Sequence, residues 1–261
     1  MNMAGIGFDF SGKNVLITGA ERGIGLAIAK AFAKCGANII VAGIMTDEFP
    51  RAEAEIRAEG ADCLCVRTDV SDEASVKEAV SQALARFSRI DVLVNNAGIN
   101  RQSPAEKMPL DVWQQIIGVN FTGTFLMCRE VGAVMLEQGG GNIVNIASMS
   151  GLIANPLPQY QCAYNSSKAG VIMLTKCLAN EWAERGVRVN AVCPGFTRTP
   201  LTANRLNNPD DPIVEKWLDG TPMNRVADPE EMVGIVLYFA SDLASYTTGT
   251  HIPIDGGYTC L

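Results

Sequence analysis

The chain has 261 residues, 48% of them hydrophobic, with a formal net charge of −7 and one histidine, His251. That length supports a full apolar core, the acidic balance argues against a nucleic-acid or anionic-membrane surface, and no apolar stretch reaches the roughly 18 residues a membrane span needs. The expectation is a cytoplasmic protein whose partner is a small molecule.

Taken in chain order, apolar β-rich runs occur at 14–18, 38–43, 63–67, 91–95, 142–147, 187–192 and 251–254. Helical patterns fall between them at 24–35, 50–59, 72–87, 111–137, 162–185 and 229–241. Near-continuous Val/Ile/Leu runs belong to strands covered on both faces, so the pattern predicts a single α/β domain over 1–261. Its fold is Rossmann-type and doubly wound, with a seven-stranded, mostly parallel sheet and helices on both faces. The segment from about 197 to 224 interrupts the rhythm with prolines and polar residues and reads as a mobile substrate lid, or as a surface excursion. The start, "MNMAGIGFDF", has neither a basic region nor a long apolar run and reads as uncleaved. Eight cysteines lie in mostly apolar surroundings without CxxC spacing, which predicts free thiols and no metal.

The first strand runs into "TGAERGIG" and then an amphipathic helix. Glycines 19, 23 and 25 fall in the turn, where absent side chains let the backbone approach a pyrophosphate at a helix N-terminus. Strand, turn and helix in that order point to nucleotide binding rather than to a tight turn alone. The spacing, Gly-x3-Gly-x-Gly, resembles the cofactor motif of the short-chain dehydrogenase/reductase family. The resemblance continues through Asp69 and Val70 after the third strand, "NNAG" at 95–98, "YNSSK" at 164–168 and "PGFTRT" at 194–199.

From the residues alone, only Tyr164 among the five tyrosines has a lysine four positions later, Lys168. A phenol titrates near ~10, and bringing it to about 7 needs roughly 4 kcal/mol of selective support for the phenolate. A lysine on the same helix face, at about 6 Å and an effective dielectric of ~20, supplies roughly 3 kcal/mol. Taken alone, such a pair reads as a surface helix with a stacked tyrosine. The resemblance makes Tyr164 the acid/base, Lys168 its pKa-lowering partner and a ribose ligand, Ser148 the substrate-orienting hydroxyl, and Asn120 the holder of a water linking Lys168 to solvent. It also implies that Gly19, Arg22, Gly23, Ile24, Gly25, Asp69, Val70, Asn96, Ala97, Gly98, Pro194, Gly195, Thr197 and Thr199 bind the dinucleotide together with Tyr164 and Lys168. Ser150 and Gln159 join Ser148 and Tyr164 against the substrate, with Asn155 and Arg101 as further hydrogen-bonding candidates.

Cofactor choice in such folds is set at the end of the second strand, where an acidic residue binds a 2′-hydroxyl and an arginine accommodates a 2′-phosphate. Here the acidic position is Gly43, followed by Ile44. With no carboxylate at 43 and Arg22 in the glycine turn, the balance favours NADP slightly over NAD. The extra "NPLPQY" at 155–160 and the ending "DGGYTCL" resemble members acting on sugars, polyols and hydroxy-ketones. A 3-oxoacyl thioester reductase is the alternative, and a non-catalytic dinucleotide-binding regulator the alternative of another class. A homotetramer built through 111–137 and 162–185 is implied by the same resemblance. A Ser-His-Asp hydrolase and a zinc enzyme both fail on histidine count.

Overall fold

Alternate residues of the first strand enter two different apolar layers. Val15 and Ile17 pack with Ile28, Phe32, Ile39, Val41 and Phe239, whereas Leu16 packs with Ile40, Val76, Met127 and Val131. A strand apolar on both faces must be covered on both, and helices cover them here. The computed structural model describes residues 7–208 and 211–260. Residues 1–6, read above as free of a leader, residues 209 and 210 of the expected lid, and residue 261 lie outside the described residues.

The strands are β1 Asn14–Thr18, β2 Asn38–Gly43, β3 Cys63–Arg67, β4 Val92–Asn95, β5 Gly141–Ile146, β6 Val187–Pro194 and β7 His251–Ile254. They form one sheet in the order β3-β2-β1-β4-β5-β6-β7, every pair parallel, so the sheet is wholly rather than mostly parallel. The chain winds outward from β1 to β3 and returns to β4 beside β1. The carboxyl ends of β1 and β4 therefore flank a topological switch point, where ligands of such sheets bind.

The helices that build the site are α1 Gly23–Lys34, α2 Phe49–Ala58, α3 Glu73–Phe87, α4 Leu110–Ile117, α5 Gly123–Glu137 and α6 Cys162–Trp182. Two short helices, α7 Ala203–Leu206 and α8 Pro212–Asp219, lie in the expected lid, and α9 Val233–Ala240 precedes β7. The helix expected at 111–137 is divided by a π-helical turn at Gly118–Thr122. A period count on apolar residues does not register this insertion, because the pattern resumes beyond it.

Two close approaches fix the frame. Gly151 packs against α6 so closely that a Cβ there would meet the Lys168 carbonyl carbon at 2.7 Å. Gly25 lies against the first turn, where a Cβ would meet Gly19 O at 2.3 Å and Asn96 Nδ2 at 2.5 Å. Neither obstacle at Gly25 can swing away, since one is backbone and the other is tied to backbone. Gly25→Ala should therefore cost about 2 to 3 kcal/mol by overpacking, read as a fall in Tm of about 5 to 10 °C in a thermal melt.

Candidate functional site

The turn after β1 is held from the neighbouring strand. Thr18 Oγ1 accepts from Asn96 N and Ala97 N, each at 2.9 Å, while Asn96 Nδ2 donates to Thr18 O and Gly19 O at 2.9 Å. The Asn96 amide is thus committed to shaping the turn, and residues 96–98 border the cleft. Gly19 and Gly23 have φ of +64° and +58°, conformations that suit glycine. Arg22, exposed, is the N-cap of α1.

From this turn a cleft of about 620 Å³ runs over the carboxyl ends of the strands. Of the dinucleotide-binding residues expected from the sequence, Gly19, Arg22, Gly23, Ile24, Asp69, Val70, Asn96, Ala97, Gly98, Tyr164, Lys168, Pro194, Gly195, Thr197 and Thr199 border it, whereas Gly25 does not and packs against Gly19 instead. Asp69 is shaped by Ser71, whose N–H and Oγ donate to its Oδ1 at 2.9 and 2.7 Å. Thr197 Oγ1 donates to Gly195 O at 3.1 Å, and Thr202 Oγ1 donates to Thr197 O at 2.6 Å. The site fits a dinucleotide, because a helix N-terminus without a side-chain cap and a turn opened by Gly19 and Gly23 meet at one end of the cleft.

At the other end the structure brings Ser148, Tyr164 and Lys168 together on that cleft. Ser148 caps a 3-10 turn, Met149–Gly151, and its Oγ accepts from Ser150 N at 3.1 Å, which leaves the hydroxyl proton available to the cleft. Lys168 Nζ donates to Ile146 O at 2.8 Å and lies 5.8 Å from the centre of the Tyr164 ring. Among the described residues Ile146 O is its one hydrogen-bond acceptor, so two of its three N–H donors remain for a ligand. Burial pushes the Lys168 ammonium down to about 8, with Cys193 opposing that shift. Burial also raises the Tyr164 phenol, and a hydrogen bond with Ser148 acts against it. The sequence reading expected Lys168 to set the direction for Tyr164. Desolvation wins instead, because the ring is buried with the ammonium.

Asn120 lies inside the π turn and is completely buried. Its Oδ1 accepts from Ile99 N at 2.8 Å, and its Nδ2 donates to Ile99 O at 2.9 Å and to Ser167 Oγ at 3.1 Å. Ser167 Oγ in turn donates to Tyr164 O at 2.7 Å. Both amide N–H groups are used within the protein, so the side chain ties the 98–99 loop to the helix carrying Tyr164.

The substrate wall is only partly as expected. Gln159 is 4% exposed and borders the cleft with Ser150, and its Oε1 has no partner. Asn155 borders the cleft too, but its Oδ1 accepts from Asn165 Nδ2 at 2.9 Å. Arg101 is exposed, with its Nη1 on the Asn100 carbonyl. Two groups were missed by sequence reasoning. Trp217 of α8 is 4% exposed, stacks on Phe196 at 4.3 Å between ring centres and leaves Nε1 unpartnered. Asn100 has an unpartnered Oδ1. A tryptophan in an irregular segment and an asparagine just past "NNAG" carry no periodic signal. The expected lid leans on both walls, with Arg205 Nη2 donating to Gln102 Oε1 at 3.2 Å and Lys216 Nζ to Leu157 O at 3.1 Å. Among the described residues no group of acidic, histidine or cysteine side chains could hold a metal ion, and no helix is long and apolar enough to cross a membrane.

The family model described as enoyl-(acyl carrier protein) reductase matches residues 19–259. D-threitol dehydrogenase of Mycolicibacterium smegmatis is 41% identical over 268 aligned positions, covering 97% of this chain and 96% of that protein. A 3-oxoacyl-[acyl-carrier-protein] reductase of Synechocystis is 43% identical over 244, covering 93% and 95%. The crystal structure of a short-chain type dehydrogenase/reductase from Mycobacterium marinum superimposes with a TM-score of 0.93 at 41% identity, over 97% and 98% of the two chains.

The buried ammonium has a measurable signature. With a folded pKa of about 8 against an ordinary 10.5, the unfolded chain holds a proton between those values that the folded chain has lost. Raising the pH through that window therefore stabilises the fold. Between pH 7.5 and pH 10 the wild type should gain about 2 kcal/mol more than Lys168→Met in urea denaturation. Parallel pH profiles for the two proteins would show that the ammonium is not desolvated.

Proposed function

The chain belongs to the short-chain dehydrogenase/reductase family, and on that premise we propose that it oxidises and reduces the secondary alcohol and ketone of a sugar, a polyol or a small hydroxy-ketone. The observation that carries this reading is the set of unpartnered polar atoms around the reacting end: Gln159 Oε1, Trp217 Nε1 and Asn100 Oδ1. A donor and two acceptors without partners suit a substrate bearing several hydroxyl groups, each of which can give and accept.

When bound, the nicotinamide dinucleotide supplies the hydride acceptor or donor. Tyr164 Oη takes the proton of the substrate hydroxyl in oxidation and returns it in reduction. Ser148, with its oxygen already accepting from Ser150 N, donates its hydroxyl proton to the substrate oxygen where negative charge develops. Lys168, with Nζ 5.8 Å from the centre of the Tyr164 ring, sets a cation on the side of the phenolate and favours that form. Its two remaining N–H donors would hold the ribose next to the nicotinamide. Asn120 is a positioning residue that fixes Tyr164 through Ser167. Asn204, Arg205 and Trp217, from the described part of the 197–224 segment, border the cleft. Assembly as a homotetramer belongs to the same reading and is supported by exposed apolar side chains on α5 and α6, Phe125 and Met173.

A 3-oxoacyl thioester is the second candidate substrate, supported by the Synechocystis relative and by Leu201, which is exposed and borders the cleft, where it suits an acyl chain. Gln159→Leu separates the two. It should lower kcat/KM for polyols and ketoses about tenfold while leaving a simple cyclic ketone unaffected; a thioester turned over faster than any polyol or ketose, by both proteins alike, would favour the second candidate. Tyr164→Phe should reduce turnover at least ~1000-fold with dinucleotide affinity, followed by nicotinamide fluorescence, nearly unchanged. Retained turnover would remove Tyr164 from the reaction.

A further inference from the structure

The sequence leaves the end of β2 without an acidic residue, but the structure does not leave that place without a carboxylate. Glu21, in the glycine turn, folds across to Gly43: a Cβ built on Gly43 would lie 2.3 Å from Glu21 Oε2 and 2.5 Å from Oε1. The carboxylate thus fills the space where a side chain at 43 would begin, and position 43 has to be glycine to admit it. Glu21 is 4% exposed and borders the cleft together with Gly43, Ile44 and Met45. Its Oε1 accepts a long hydrogen bond of 3.4 Å from Met45 N, and its Oε2 has no partner.

Three arginines lie in this region and, among the described residues, none pairs with the Glu21 carboxylate; Arg67, opposite Gly43 on β3, is exposed. Arg51 approaches Glu21 only at the backbone, donating from Nη2 to Glu21 O at 3.0 Å, while its guanidinium pairs with Glu48 and Glu55. Arg22 is exposed and has no ion pair among the described residues. Ile44, the next position where a basic residue could meet a phosphate, is apolar and 59% exposed.

We propose that Glu21 is the specificity-determining residue of the adenosine end. Its carboxylate, delivered from the glycine turn instead of from β2, accepts the 2′-hydroxyl of the adenosine ribose and excludes a 2′-phosphate, so the protein uses NAD(H) in preference to NADP(H). A ribose hydroxyl gives the orphaned carboxylate the donor it lacks. A 2′-phosphate sets a second anion beside it in a site with little solvent screening, and the exposed Arg22 is screened where Glu21 is not. This reverses the slight preference for NADP that Gly43 and Arg22 suggest in the sequence. It rests on the oxidoreductase reading only for the identity of the dinucleotide.

The test is binding without any carbonyl substrate. Titration of the protein with NADH and NADPH, and with ADP-ribose and 2′-phospho-ADP-ribose, should give affinities at least tenfold tighter for the members lacking the phosphate. Glu21→Gln, which keeps the shape and removes the charge, should narrow that ratio about tenfold, mainly by tightening the phosphorylated pair. Glu21→Ala combined with Gly43→Asp returns a carboxylate from the β2 side and should restore the discrimination, which also covers the case of a poorly folded single variant. Equal or tighter binding of the phosphorylated members by the wild type, or an unchanged ratio in Glu21→Gln with normal melting, overturns the proposal. Absence of binding by all four overturns it together with the oxidoreductase reading. Discrimination as expected, with no turnover of any alcohol or ketone, leaves Glu21 in its role and removes the proposed reaction alone.

Discussion

An ammonium group buried beneath the carboxyl end of β5 is the constraint around which the cleft is arranged. Lys168 is 4% exposed, and burying its charge is tolerable only because the Ile146 carbonyl accepts from it and its remaining donors face the cleft. To reach that carbonyl, α6 must lie close against the end of β5, and Gly151 gives the room by carrying no side chain against the Lys168 backbone. The same approach delivers Ser148, at the start of the turn containing Gly151, next to Tyr164, one helical turn before Lys168. Helix, turn and strand are therefore fixed relative to one another by one charge that has nowhere else to go.

The network on the far side of α6 serves the same geometry. Asn120 joins the backbone of Ile99 to Ser167, and Ser167 joins the Tyr164 carbonyl. A regular helix through 111–137 would turn Asn120 to a different bearing. The π-helical turn at Gly118–Thr122 adds the extra residue that brings the amide inward, and Thr124 Oγ1 donates to the Asn120 carbonyl at 2.8 Å within this irregular stretch. Stability is given up locally so that a polar side chain can be buried with all its amide hydrogens used.

What could be read from the sequence was whatever depends on local pattern. The strand runs gave the sheet, because residues such as Val15 and Leu16 are apolar for opposite faces, and the glycines of the first turn were legible because a turn without side chains is itself a spacing. Tyr164 and Lys168 share a helix face because four residues are about one turn, but that spacing is common on surface helices, and only the family resemblance singled the pair out. The π insertion was not, since the apolar rhythm on either side conceals it. Nor was the upward shift of Tyr164, which depends on burial that only the assembled helices create. Glu21 was hidden for a different reason: the acid and the glycine it replaces are 22 positions apart in the chain, and only the β1–β2 pairing, with Thr18 opposite Ala42, sets the turn against Gly43.

The unpartnered atoms in the cleft follow from the same logic of buried polar groups. A buried side-chain atom without a hydrogen bond costs about 1 to 3 kcal/mol. Among the described residues six atoms are in this state: Asn95 Oδ1 and Asn165 Oδ1 belong to residues off the cleft, whereas Glu21, Gln159, Asn100 and Trp217, which carry the other four, all border it. Four such atoms along one channel make the fold less stable than apolar side chains there would, and the channel gains its partners from what it binds. Selectivity follows from that arrangement: a ligand lacking the matching hydroxyl leaves the protein atom orphaned in the complex as well, and forfeits more affinity than the loss of one exposed hydrogen bond would.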